Sequence, residues 1–175
     1  MRRFGQARSA SLLVCVALLL TGCNSTGDGG FSSFGNSLSS VELPSKVEPV
    51  PDDQVLAVAK KQFAEGNYGH AVRYYERAVE TMPNNPEAWL GLAASYDRVR
   101  RFDLADRAYR EASRFMSDRP EYYNNVGYSY LLRGDVAKAR SNFLRAQELD
   151  PNNVTINNNL EMLRDNANRP TRSKG

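Results

Sequence analysis

Cys23 is the residue of this 175-residue chain whose surroundings most clearly prescribe a reaction. Arg2, Arg3 and Arg8 precede an apolar stretch from Leu12 to Leu20, and the small residues Thr21 and Gly22 separate that stretch from the cysteine. A basic start, a short apolar middle and small residues at a cut point make a secretory signal peptide. About nine apolar residues are too few to cross a bilayer, which takes about 20. A thiol at the cut is a nucleophile. Little else in the chain could do chemistry. Cys15 lies inside the signal, and His70 is the single histidine, so no metal-ligand cluster can form from these residue types. No serine or acid stands in a recognisable catalytic arrangement with His70, which reads as a surface residue, and no enzyme is expected.

The four residues Leu20 to Cys23 (LTGC) resemble the lipobox of bacterial lipoproteins. The resemblance implies cleavage between Gly22 and Cys23 and acyl chains on Cys23. Two or more chains hold a protein firmly, at about 0.8 kcal/mol per buried CH₂. Asn24 follows the cysteine where an aspartate would favour inner-membrane retention. The expected place is therefore the outer membrane, facing the periplasm. A processed chain would keep no free thiol, so its fold must rest on apolar packing rather than on a disulfide.

The net charge of +3 misleads. Residues 1–22 hold three arginines and no acid, so processing leaves 20 basic residues against 20 acidic ones. A nucleic-acid binder needs a basic excess or face, and that partner class is not expected. No cofactor or small-molecule substrate is expected either.

Residues 23–51 read as the lipidated cysteine and a tether. Seven serines, four glycines and three prolines fill half of the 28 residues from Asn24 to Pro51, leaving too little apolar surface to order itself. As a flexible coil it would span about 30 Å. Phe31 and Phe34 are stray aromatics within it.

From Asp52 the chain repeats every 34 residues. Ala71, Ala105 and Ala139 share one phase, as do Tyr75, Tyr109 and Phe143, and Ala78, Ala112 and Ala146. Val55, Trp89 and Tyr123 share another, and Pro83, Ser117 and Pro151 close the units. Apolar positions recur at three to four residues, the helical period. Gly66-Asn67 and Gly134-Asp135 break the pattern, Asn85 with Pro86 signals one helix start, and Asp118 with Glu121 signals another. The pattern predicts three helix-turn-helix units over residues 52–85, 86–119 and 120–153, with helix pairs near 53–81, 87–115 and 121–148. A capping helix over 154–165 and a polar tail over 166–175 follow.

These residues resemble the tetratricopeptide repeat. The resemblance implies an all-α, right-handed α-solenoid whose first helices line a concave face. The candidate protein-binding residues on that face are Leu56, Lys60 and Phe63, then Leu90, Ala94, Asp97 and Arg98, then Asn124, Asn125, Tyr128 and Leu131. Asparagine amides suit the backbone of an extended peptide, and aromatics suit its side chains. Some tetratricopeptide domains hold a C-terminal carboxylate with lysines, arginines and asparagines. Only Lys60, Arg98 and Asn125 could serve so here, an incomplete set. The second unit is arginine-rich, and Asp103–Arg107 and Asp106–Arg110 stand at i,i+4 spacing for pairing.

Lipid anchor, tether and three repeats together resemble the lipoproteins of tight adherence (Tad/Flp) pilus secretion systems. That family implies a non-enzymatic scaffold that helps place or stabilise an outer-membrane secretin, with a secretin or pilus-assembly component as partner. The alternative is a pilotin of another secretin system or a subunit of the outer-membrane protein insertion complex, families that carry about five or six repeats.

Overall fold

The computed structural model describes residues 42–168. The signal peptide, Cys23, Phe31, Phe34 and the last seven residues lie outside this range. Seven helices follow one another: α1 (Val55–Ala64), α2 (Tyr68–Thr81), α3 (Pro86–Arg98), α4 (Phe102–Met116), α5 (Pro120–Leu132), α6 (Val136–Leu149) and α7 (Val154–Asn168). They form three antiparallel pairs with α7 stacked on the last, the all-α solenoid that the repeat implies. Helix α7 runs three residues beyond the expected end at 165.

The 34-residue period is a period of hydrogen bonds as well as of side chains. Each pair turns through one six-residue closure: Asn67 N donates to Gln62 O, Arg101 N to Tyr96 O and Asp135 N to Tyr130 O, all at 2.9 Å. This is the Schellman geometry, which needs a left-handed residue just before the donor. Gly66 and Gly134 supply it at φ +80°, and Arg100 occupies the same place at φ +62°. Entry into the next pair repeats too. Trp89 Nε1 donates to Pro83 O at 2.7 Å, Tyr123 Oη to Ser117 O at 2.9 Å and Asn157 Nδ2 to Pro151 O at 3.1 Å.

Helix starts are set locally. Asn85 accepts from Ala88 N at 3.1 Å, with Pro86 opening α3, and Asp135 accepts from Lys138 N at 3.0 Å at the start of α6. Asp118 does not cap α5, contrary to the sequence expectation. Pro120 takes the first helical position, where its missing N–H costs nothing, so the cap falls on Arg119, which makes no side-chain capping bond.

Small residues let the helices approach. Ala59, Ala71, Ala78, Ala93, Ala105, Ala112, Ala139 and Ala146 are all fully buried. One apolar cluster runs from Val55 through Tyr109 across the first two pairs, and a second gathers Leu131, Ala139, Phe143 and Leu163.

Residues 42–51 depart from the expected tether. Leu43, Val47 and Val50 pack against the first cluster. Arg73 Nε donates to Pro44 O and Tyr74 Oη to Glu48 O, both at 3.0 Å. Three aliphatic side chains at three- to four-residue spacing, with carbonyls exposed by the prolines, suffice to lay this segment along α2.

Arg100 carries a strain that its two glycine counterparts avoid, about 1 kcal/mol for an L-residue in the left-handed region. Arg100→Gly is expected to raise unfolding stability by about 0.5–1 kcal/mol, read as a higher urea midpoint at unchanged m-value.

Candidate functional site

Five of the residues expected on the concave face meet in one cavity of about 200 Å³: Lys60 and Phe63 from α1, Leu90 and Ala94 from α3, and Asn125 from α5. Tyr75, Glu87 and Gly91 complete the lining and were not among the candidates. Helix spacing explains the set. Lys60 and Phe63 are three apart, and Leu90 and Ala94 four apart, so each pair shares a helix face. Tyr75 reaches the groove from α2 because Gly91 leaves a gap. A Cβ at position 91 would lie 2.3 Å from the Tyr75 ring.

The groove is apolar at its floor and nearly neutral at its rim. Lys60 Nζ sits 2.6 Å from Glu87 Oε1, with both side chains more than half exposed, so the pair adds little stability and cancels its own charge. Arg98 is exposed and lays its guanidinium 4.2 Å from the centroid of the Tyr68 ring. Asn125 spends one N–H on Glu121 O at 2.8 Å. Thus Lys60 and Arg98, two of the three residues that might have held a carboxylate, are already engaged.

The other expected residues lie elsewhere. Leu56 is half-buried against the first apolar cluster and Tyr128 against the second. Asn124 Oδ1 accepts from Asn159 Nδ2 of α7 at 2.8 Å, tying the third pair to the last helix. Leu131 and Asp97 are not available to a ligand, being 4% and 3% exposed. Leu131 is core because it faces Phe143 within its own pair.

Models of the tetratricopeptide repeat match residues 62–125 and 120–153, together just over half of the chain. The array is a tetratricopeptide-repeat domain. Small glutamine-rich tetratricopeptide repeat-containing protein 2 of Mycosarcoma maydis is 28% identical over 140 residues, 71% of this chain and 40% of that protein. The chain therefore spans well under half of this curated relative. The first tetratricopeptide domain of human RPAP3 superposes with a TM-score of 0.59 at 23% identity, covering 65% of this chain and 90% of the domain. The Yersinia enterocolitica type III secretion chaperone SycD, in complex with a peptide of the translocator YopD, gives a TM-score of 0.56 at 22% identity over 66% and 93%. These likenesses fix the fold. Tetratricopeptide-repeat homologues are non-catalytic modules for protein interaction.

Within the tetratricopeptide domain, Asp97 joins the second repeat to the third. Tyr109 Oη donates to its Oδ2 at 2.9 Å and Ser129 Oγ to its Oδ1 at 2.7 Å. Arg133 stands 3.7 Å away and makes its closer pair, 2.6 Å, with Asp106. Asp106 therefore bridges to the next repeat rather than to Arg110, as its i,i+4 spacing suggested. Burial pushes the Asp97 carboxyl up to about 6, against the opposing pull of Ser129, Tyr109 and Arg133.

A carboxyl with a raised folded pKa contributes stability that is complete below its unfolded value, 3.8, and lost as pH rises through the folded one. The loss from Asp97 is about 3 kcal/mol between about pH 4 and 6. Asp97→Asn is expected to flatten the pH profile of urea unfolding by that amount. Parallel profiles for the native chain and the variant would show that Asp97 titrates normally.

Proposed function

We propose that this chain is a lipid-anchored, non-catalytic scaffold of the bacterial outer membrane that holds an extended segment of a protein partner in its concave groove. The observation that carries this reading is the convergence of Phe63, Leu90, Ala94 and Asn125 on one cavity, with apolar floor and amide rim. Such a lining suits a peptide main chain flanked by apolar side chains. It is supported by SycD, a similar fold whose crystal structure holds a peptide of YopD. The export signal ending at Cys23 supports the membrane anchor and periplasmic location. The signal, the tether and the three repeats together support a part in assembling a Tad/Flp pilus system, with its secretin or a pilus component as partner.

A photo-reactive residue in place of Leu90 tests the groove in living cells, with exposed Arg107 on α4 as control. Capture of a secretin or pilus component from position 90 alone is the expected result. Capture from position 107 alone would put the interface on the other face, and capture of a barrel-insertion subunit would replace the pilus assignment. Cys23→Ser is expected to move the protein from the membrane to the soluble fraction. Retention at the membrane would count against the lipid anchor.

A further inference from the structure

The three repeats place an equivalent residue pair between their first and second helices: Phe63 with Tyr75, Asp97 with Tyr109 and Leu131 with Phe143. The second pair is polar on both sides, and the Tyr109 hydroxyl donates to Asp97 at 2.9 Å. The third is apolar on both sides, with Leu131 and Phe143 in one cluster. The first is mixed. Phe63 stands where Asp97 would accept, and among the described residues nothing accepts the proton of Tyr75 Oη.

Tyr75 is only 5% exposed, yet it lines the groove cavity. Its hydroxyl is not among the fully buried unpartnered atoms, so it opens onto the cavity, where water accepts from it until an entering carbonyl takes that water's place. The charge of Glu87 is felt at this phenol, which burial and Glu87 together push up to about 12. The hydroxyl is therefore a donor at neutral pH. Lys60, the nearest cation of the lining, is already neutralised by Glu87.

We propose that Tyr75 is a ligand-facing donor: its hydroxyl binds a main-chain carbonyl of an extended, uncharged protein segment whose adjacent apolar side chain packs on Phe63 and Leu90. This rests on the groove reading above and adds the chemistry of the occupant. An acidic C-terminal tail is the wrong class, because Lys60, the one cation among the described lining residues, is already paired with Glu87.

The test is fluorescence anisotropy with the purified full chain and two labelled peptides. One is an end-capped Ser/Gly nonapeptide with leucines at three alternate positions, and the other is the acidic heptapeptide SRMEEVD. The native chain is expected to bind the leucine peptide and not the acidic one. Tyr75→Phe is expected to weaken that binding about 3- to 10-fold, with an unfolding midpoint equal to or above native, since only an unpaired hydroxyl is lost. Leu90→Glu is expected to abolish binding. Leucine-peptide binding that Leu90→Glu removes but Tyr75→Phe leaves unchanged would overturn the role of Tyr75 while sparing the groove. Stronger binding of SRMEEVD, or no binding of the leucine peptide, would overturn the ligand class, and crosslinking from position 90 would still stand or fall by itself. A lowered midpoint for Tyr75→Phe would show an internal partner and overturn the proposal as well.

Discussion

Everything in this domain depends on how closely paired helices can approach. Two helices packed through large side chains stand about 10 Å apart, and small residues at the contact shorten that distance. Here the contact positions are alanine in every pair, with glycine once, at Gly127, where a Cβ would lie 2.7 Å from the Phe143 ring. Close approach within pairs leaves several of the large side chains to work between them. Tyr75, Trp89, Tyr96 and Tyr109 accordingly span neighbouring units, and their polar ends find carbonyls or carboxylates there, with Tyr75 the exception. The groove is the by-product: it is the space left where the first helices fan apart.

Much of this is legible in the 34-residue spacing, because the same physical problem is solved three times and each solution leaves the same residue type. The helix pairing and the turns at Gly66 and Gly134 follow directly. Arg100 escapes notice because arginine carries no turn signature; only its phase, midway between the two glycines, betrays it. Asp97 is misplaced for a related reason. An acid on a first helix reads as a rim residue, whereas its counterparts Phe63 and Leu131 are apolar, and that mismatch was the signal that it faces inward. Residues 42–51 read as tether because proline and serine dominate their composition, while three aliphatic side chains decide their position. Tyr75 reads as a spacer, since nothing in one repeat shows that its partner hydroxyl acceptor is missing; the comparison of three does.

The groove and the junction below it obey opposite rules. In the groove, the Tyr75 hydroxyl has no partner among the described residues, and Lys60 and Glu87 cancel at the rim. At the junction between the second and third repeats, Asp97, Tyr109, Ser129, Arg133 and Asp106 bind one another across 36 residues of chain. A buried network of this kind fixes the relative orientation of its members, because any shift leaves a charge unpaired at low dielectric.

That junction also divides the apolar interior. The first cluster spans α1 to α4 and takes in Tyr122 and Val126 at the start of α5, while the second joins the end of α5 to α6 and α7, with the Asp97 network lying where they meet. In a linear array each unit is held only by its neighbours, so opening spreads from an end and halts where the coupling changes character. Amide protons would thus exchange in two blocks, with the C-terminal half of the array released while the half bearing most of the groove stays closed. Opening of this kind would leave intact the faces of α1 and α3 that build most of the cavity.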